Sequence, residues 1–389
     1  MVSPQRLSQG LYALHLLLIA SIALSNVALG LTLLSLPLTL RELSLRRRGL
    51  GILWAALAAY VVLLLASIIA STEPTRSVRA LSEVFSLATL PLALLLFSDP
   101  REARRLVDGV IVVAVVIAGS GLFQFLIGYG DIDNRIRGPL SHYMTFSGVL
   151  LIADLLLLGR MPWRQGWKKP WHWLALLVLN VALLGSLTRS AWVALVVALG
   201  LLLLFSAPRL LLLAPIAALT FLWLAPVGLL HRMMSIADLT DESNYDRLCM
   251  ARAGLTMIAE RPLFGIGPNA VEERYPLYRH PTAPRYTVPH LHNSFLQVAA
   301  ERGLPALAAM LTLLVVPAAV ALRRFRAQGG ATSPVGDLCL GAFLAIVGFA
   351  VAGLFENNWG DTEVQRMALF VLALPFVGNG AGRGSEPAG

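Results

Sequence analysis

Residues 51–70 have the sequence GILWAALAAYVVLLLASIIA, in which no side chain is charged. A helix of this length, rising about 1.5 Å per residue, crosses the ~30 Å hydrocarbon core of a bilayer. Similar apolar stretches recur along the 389-residue chain, whose composition is 57% apolar and 14% charged. Soluble domains carry about 25% charged residues. The sequence therefore predicts an all-α integral membrane protein and argues against a soluble enzyme.

We predict twelve transmembrane helices, and treat residues 1–389 as a single polytopic membrane domain. The first two spans could form one bent hairpin around Ser25 and Asn26, and the seventh and eighth are divided only by residues 186–190. The predicted spans are 8–24, 26–40, 51–70, 80–98, 106–127, 143–159, 171–187, 190–206, 210–229, 294–322, 337–355 and 363–379.

The distribution of basic residues predicts the orientation of these spans. The short loops on one face carry 15 Lys and Arg, and those on the opposite face carry 6. Basic loops stay in the cytoplasm, so both termini are expected there. The formal net charge of +9 is explained in this way, and we expect no nucleic-acid partner.

One connection is much longer than the others. Residues 231–292, between spans nine and ten, form a 62-residue segment on the predicted external face. Its apolar residues are spread evenly, which predicts ordered structure, and loops of this length are commonly functional. Residues 243–260 are predicted to form an amphipathic helix, ended by Pro262 and the turn at 265–268. Its expected apolar stripe is Leu248, Ala251, Leu255 and Ile258.

The chemically informative cluster lies where this loop enters span ten. Ser294 and Gln297 fit a capping box that would start the helix at Ser294. A helix N-terminus attracts phosphate and disfavours an imidazolium, so His292 is expected to stay neutral and able to accept a proton. Under the alternative, His292 and Asn293 are only polar residues at a membrane interface. Motifs of nucleotide-binding enzymes, zinc proteases and serine hydrolases are absent from the sequence.

Arginine side chains are the candidate ligands for an anion. Arg189 stands between two apolar runs, where a charge is costly and suggests function, although it could also extend to the nearby interface. Arg247 lies at the edge of the loop helix, and Arg137 is a weaker external candidate. Guanidinium groups suit pyrophosphate because they bind its oxygens bidentately. Glu356, after span eleven, is either an active-site acid or a solvated loop residue.

Several motifs together resemble the O-antigen ligase and polymerase superfamily. The ligase pattern of a histidine, a polar residue and a later glycine is fitted by His292, Asn293 and Gly303, but its last position is Ala306, where the pattern has Gly, Thr or Tyr. The motifs that carry the resemblance are Thr188-Arg189-Ser190, Arg247, the segment Glu260–Asn269, the segment His292–Gln297 and Glu301-Arg302-Gly303-Leu304.

The resemblance implies an inverting, GT-C-like membrane glycosyltransferase with a periplasmic active site in the bacterial inner membrane. It implies no metal and no other cofactor. The donor would be a glycan on undecaprenyl pyrophosphate, and the acceptor of a ligase would be lipid A–core. Our hypothesis makes His292 the general base and Arg189 and Arg247 the pyrophosphate ligands, with Asn293, Arg137 and Glu356 as candidate supporting residues.

Two other functions stay open from the sequence. An O-antigen or exopolysaccharide polymerase would use the same donor with a growing glycan as acceptor. A transporter or lipid flippase is disfavoured, because transporters usually show repeated halves and charges near the bilayer midplane. In this chain the polar residues gather at one face, around a single long loop.

Overall fold

A computed structural model describes residues 3–39, 50–129, 135–161, 169–224, 227–235, 238, 241–329 and 333–378. These residues form helices and connecting turns, with no strand among them. The α-helices are α1 (Pro4–Leu17), α2 (Ile22–Thr39), α3 (Gly51–Ile69), α4 (Pro74–Ser77), α5 (Leu81–Leu87), α6 (Thr89–Leu96), α7 (Pro100–Leu126), α8 (Tyr143–Gly159), α9 (Pro170–Gly185), α10 (Arg189–Ser206), α11 (Ala214–Leu224), α12 (Val227–Met234), α13 (Glu242–Glu260), α14 (Val271–Tyr278), α15 (Ser294–Arg302), α16 (Leu304–Ala327), α17 (Pro334–Gly353) and α18 (Thr362–Ala373).

Seven helical stretches in the described part of the chain are long and apolar enough to cross a membrane. This agrees with an all-α, multi-pass membrane protein, while the count of twelve spans stays a prediction. The residues at both predicted cytoplasmic ends, 1–2 and 379–389, lie outside the described residues. The seven stretches are Ile22–Thr39, Gly51–Ile69, Pro74–Leu96, Pro100–Leu126, Arg189–Ser206, Leu304–Ala327 and Val335–Gly353.

The first hairpin turns earlier than predicted. Helix α1 ends at Leu17 and α2 begins at Ile22, so the turn does not lie at Ser25 and Asn26. The two helices are antiparallel, as shown by the hydrogen bonds of Ser8 with Ser35 and of His15 with Ser25. The prediction placed the turn at Ser25 because polar residues between apolar runs commonly mark turns. Here the Ser25 hydroxyl is instead hydrogen-bonded to His15 within the helix pair.

The predicted spans nine and ten are not continuous helices. Residues 210–229 fall into the 3-10 turn Pro208–Leu213 followed by α11 and α12, with residues 225–226 outside the described range. Span ten is divided at Gly303 into α15 and α16. Gly303 has φ +85°, and a Cβ there would lie 2.1 Å from the carbonyl oxygen of Leu263. Both the left-handed backbone and the close approach require glycine, and they end α15.

The long loop folds as ordered helices around a small apolar core of its own. That core includes Met250, Met257 and Tyr275. The predicted loop helix is present as α13, but the predicted apolar stripe is wrong, because Leu248 and Leu255 are 40% and 60% exposed. The buried face carries a different set of residues: Asp246, Cys249, Met250, Ala253, Gly254 and Met257. At Gly254 a Cβ would meet Leu291 and Leu296 within 3 Å, so close packing of α13 selects this face over the larger aliphatic side chains.

Candidate active site

A cavity of about 510 Å³ lies between the start of α10, the first half of α13, the turn before α15 and the loop after α17. Its walls include Arg189, Arg247, His292 and Glu356. These four residues are separated by as many as 167 positions in the sequence, and folding brings them to one cavity.

Arg189 is held at the first turn of α10. Its side chain is buried, and Nη1 donates to the carbonyl oxygen and the hydroxyl of Ser235, at 3.1 and 2.8 Å. Nη2 lies 3.4 Å from the carboxylate of Asp241, the N-cap of α13. Arg189 is therefore fixed against the loop rather than extended into the lipid interface. Leu187, two residues earlier, has φ +52° and forms the sharp turn between α9 and α10.

Arg247 supplies a second guanidinium from α13. It is half-buried, and it forms no ion pair or hydrogen bond with the residues that the structure describes. Burial lowers the pKa of Arg247, and the charge of Arg189 lowers it further, whereas the charge of Glu356 raises it. Two neighbouring cations, of which only one has a carboxylate at ion-pair distance, make this side of the cavity suited to a multiply charged anion.

His292 and Glu356 form a hydrogen-bonded pair. Nδ1 of His292 lies 3.0 and 3.1 Å from the two carboxylate oxygens of Glu356. Burial alone would raise the pKa of Glu356, but the hydrogen bond and charge of His292, with the charge of His290, lower it to about 2. An ionised carboxylate can only accept, so Nδ1 carries the hydrogen and Nε2 is the basic nitrogen. The interpretation of Glu356 as a solvated loop residue is wrong, because it is buried.

His290 completes this cluster. Its ring packs edge-on against His292 with centroids 4.2 Å apart, and its Nε2 is 3.8 Å from Glu356. Burial lowers the pKa of His290 to about 4, although Glu356 opposes this shift. Ligand atoms of His290, His292 and Glu356 lie within 4.8 Å of one another, a spacing that could hold a metal ion. The His292–Glu356 hydrogen bond accounts for the same arrangement without one.

Asn293, a predicted supporting residue, caps α15. Its Oδ1 accepts from the backbone N–H groups of Phe295 and Leu296, and its Nδ2 donates to the carbonyl oxygen of Leu354. The helix begins at Ser294 as predicted, but the capping box is wrong. The Ser294 hydroxyl donates to the backbone of Glu356, and Gln297 accepts from Leu291. Because Asn293 occupies two of the first helical N–H groups, this helix end does not provide the expected phosphate site.

Arg137 does not line the cavity, and its neighbour Arg135 does. Arg137 donates to the backbone carbonyls of Leu140 and Ser141, whereas the guanidinium of Arg135 lies 4.3 Å from the ring centre of Tyr143. Arg135 and Arg137 lie two residues apart in a segment that is neither helix nor strand, so the sequence motif marked the right segment but could not choose between its arginines.

Several charged residues of the cavity were missed by the sequence analysis, among them Asp246 and Arg285. Both residues line the cavity, and Nε of Arg285 is 3.1 Å from the carboxylate of Asp246. Burial raises the pKa of Asp246 and the charge of Arg285 opposes that change. The sequence offered one indication of Asp246 as a site residue, which was its position next to Arg247 on the predicted loop helix.

The comparison with protein families covers most of this site. Residues 173–311 match the family model described as O-antigen ligase. The match covers 139 of the 389 residues and shows that this part of the chain is similar to that family. It includes Arg189, Arg247 and His292, and it ends before Glu356. None of the curated proteins compared with the chain matches it.

Proposed function

We propose that the chain transfers a glycan from undecaprenyl pyrophosphate to a hydroxyl group of lipid A–core, as an O-antigen ligase. The observation that carries this proposal is the single cavity shared by Arg189, Arg247 and the His292–Glu356 pair. The reaction has a departing pyrophosphate and an attacking hydroxyl. It therefore requires cationic groups and a proton acceptor in the same cavity.

Arg189 and Arg247 are assigned to the donor pyrophosphate. Guanidinium groups stay charged and bind phosphate oxygens through paired N–H groups, so they stabilise the charge that develops on the leaving group. Beside them lies an apolar groove of about 290 Å³, whose walls include Val193, Leu248 and Phe355 together with the same two arginines. Leu248 and Phe355 are exposed. This groove is suited to the first isoprene units of the polyprenyl tail.

His292 is assigned the role of general base. Its Nε2 takes the proton of the acceptor hydroxyl while that oxygen bonds to the anomeric carbon of the donor sugar. The bond from the anomeric carbon to the pyrophosphate oxygen breaks, its electron pair leaves with the pyrophosphate, and the anomeric configuration inverts. Glu356 stabilises the imidazolium that forms and keeps the ring oriented. The pyrophosphate already activates the sugar, so the reaction needs no nucleotide, and none of these assignments uses a metal.

The proposal also includes the cellular setting. The excess of basic residues on one set of loops supports a multi-pass protein of the bacterial inner membrane with cytoplasmic termini. The cavity is lined by residues on or beside the opposite loops, which supports a periplasmic active site. A polymerase of the same superfamily would use the same chemistry with a growing glycan as acceptor, so the acceptor must be compared directly.

A reconstituted transfer assay tests this function. Purified protein in liposomes receives undecaprenyl-pyrophosphate-linked glycan and either lipid A–core or a second lipid-linked glycan. Transfer to lipid A–core is expected, and His292→Ala should lower it by about 10²–10⁴-fold because the general base is lost. Arg137→Gln, a charge change outside the cavity, is the control and should retain activity. Near-normal transfer by the His292 variant would refute the mechanism, and transfer only to lipid-linked glycan would favour a polymerase.

A further inference from the structure

A second polar cavity, of about 530 Å³, is separate from the catalytic one. It is formed by the start of α2, the segment from Arg79 to Ser86, α15 and the loop that leads into α18. Within the described residues, the two cavities have no lining residue in common. The mechanism above assigns no role to this second cavity.

A third cavity connects the first two. Its volume is about 500 Å³, and it shares Tyr143, His292 and Glu356 with the first cavity. It shares His290 and Asn357 with the second. The three cavities therefore adjoin one another past the His292–Glu356 pair. Shared lining residues thus link the second cavity, by way of the third, to the proposed general base.

The second cavity contains cations without ion-pair partners. Arg366 is only 2% exposed, and its guanidinium donates to the Ser25 and Ser86 hydroxyls and to the side-chain oxygen of Asn26, all of which are neutral. Glu363 lies three residues earlier on the same helix, but the two side chains form no ion pair. Arg79 is exposed on the same wall. Neither arginine forms an ion pair with a described carboxylate.

Arg302, the other arginine of this cavity, differs in being neutralised. It pairs with Glu83, and Glu301 lies 3.7 Å away. Burying a cation without an anion is costly, so the arrangement at Arg366 favours an anionic ligand. Five carboxamides on the same walls offer both donors and acceptors, which suits the hydroxyl groups of a sugar: they belong to Asn26, Asn269, Gln297, Asn357 and Gln365.

We propose that the second cavity binds the glycan acceptor, with an anionic substituent of its sugars held by Arg79 and Arg366. The proposal rests on the proposed function and adds to it a separate acceptor site. The donor would occupy the arginine side of the first cavity, and the acceptor hydroxyl would reach His292 through the third. The anion is a phosphate or a carboxylate, which have the same guanidinium chemistry.

The test compares two arginines that are close in sequence. Arg79→Gln removes a cation of the second cavity, whereas Arg76→Gln removes one outside it, where Arg76 pairs with Glu272 and Glu273. In the transfer assay, Arg79→Gln is expected to raise the KM for lipid A–core about 10- to 100-fold, the usual effect of a lost charged hydrogen bond. The KM for the donor and the kcat at saturating acceptor should stay unchanged, and Arg76→Gln should behave as wild type.

Chemical changes to the acceptor identify the anion. Lipid A–core is supplied untreated, after phosphatase treatment and after methyl esterification of its carboxylates. Removal of the bound anion should raise the wild-type KM to that of the Arg79 variant, and should abolish the effect of the substitution. An unchanged KM for Arg79→Gln, or equal KM values for all three acceptors, would overturn the proposal. Arg366→Lys, which keeps the charge at the buried position, should raise the acceptor KM less than Arg366→Gln.

Direct binding separates this proposal from the proposed function. Equilibrium binding of radiolabelled lipid A–core requires no transfer. If the wild-type protein binds lipid A–core but transfers no glycan, and Arg79→Gln weakens this binding, the proposed function is refuted and the acceptor cavity is supported. Transfer with an acceptor KM indifferent to Arg79 would refute the acceptor cavity and leave the proposed function in place.

Discussion

Replacing Glu356 by glutamine tests whether the carboxylate acts through His292. The substitution keeps the size of the side chain but removes the charge that lies 3.0 Å from Nδ1 of His292. At an effective dielectric constant of about 20, two unit charges at this distance interact by about 5 kcal/mol, equivalent to about 10⁴-fold in rate. This is an upper limit, since water screens part of the interaction. We expect kcat to fall about 10²–10³-fold, with little change in either KM.

The measurement is the kcat of transfer in liposomes at saturating donor and acceptor. Without the carboxylate, the imidazolium that forms during proton transfer is less stabilised, so kcat falls. Glu356→Asp should recover part of the activity, and Glu260→Gln, a loop carboxylate that contacts Tyr278 outside the cavity, is the matched control. A Glu356→Gln protein with more than half of the wild-type kcat would show that Glu356 only supports the fold.

Three other predictions concern the donor, pH and the backbone. Arg189→Lys should weaken donor binding and transfer despite keeping the charge, because the paired N–H geometry toward pyrophosphate is lost; equal donor affinity would exclude that role. The half-buried His290 has a pKa of about 4, against 6.5 when free, so the unfolded chain binds more protons between these values. Thermal stability in detergent should therefore fall as pH drops from about 6.5 to 4, and His290→Asn should reduce the dependence. Gly303→Ala should destabilise by at least about 2 kcal/mol, because its left-handed backbone also contacts the Leu263 carbonyl, whereas Gly200→Ala in α10, with open space around it, should not.

The sequence predicts most of the helices and several of the cavity residues because both depend on local patterns. The lengths of the apolar stretches predict the helices. A charged residue between two apolar runs, as at Arg189, can be identified as a candidate functional residue without knowledge of the fold. The periodicity of the sequence also predicts the loop helix α13. It does not predict the buried face of that helix, because close packing at Gly254 depends on Leu291 and Leu296, which lie far along the chain.

The choices that the sequence could not make are tertiary. Asn293 and Ser294 are both good helix caps, and the outcome is decided by the backbone carbonyl of Glu356, which accepts from the Ser294 hydroxyl and leaves the capping to Asn293. The pairing of Glu356 with His292 joins positions 64 residues apart. Gly303 belongs to a sequence motif, but the reason that glycine is required there is its contact with the Leu263 carbonyl, which only the fold reveals.

Backbone strain supports a functional role for both cavities. Among the described residues, three that are not glycine have left-handed φ values: Leu187 at +52°, Asn269 at +58° and His292 at +48°. Leu187 and His292 line the first cavity, and Asn269 lines the second. Such conformations cost about 1–3 kcal/mol each and are commonly found at functional sites. Glycine would relieve the strain at all three, but it would also remove the imidazole from the first cavity and a carboxamide from the second. The backbone is therefore strained where the proposed chemistry and acceptor binding need a side chain.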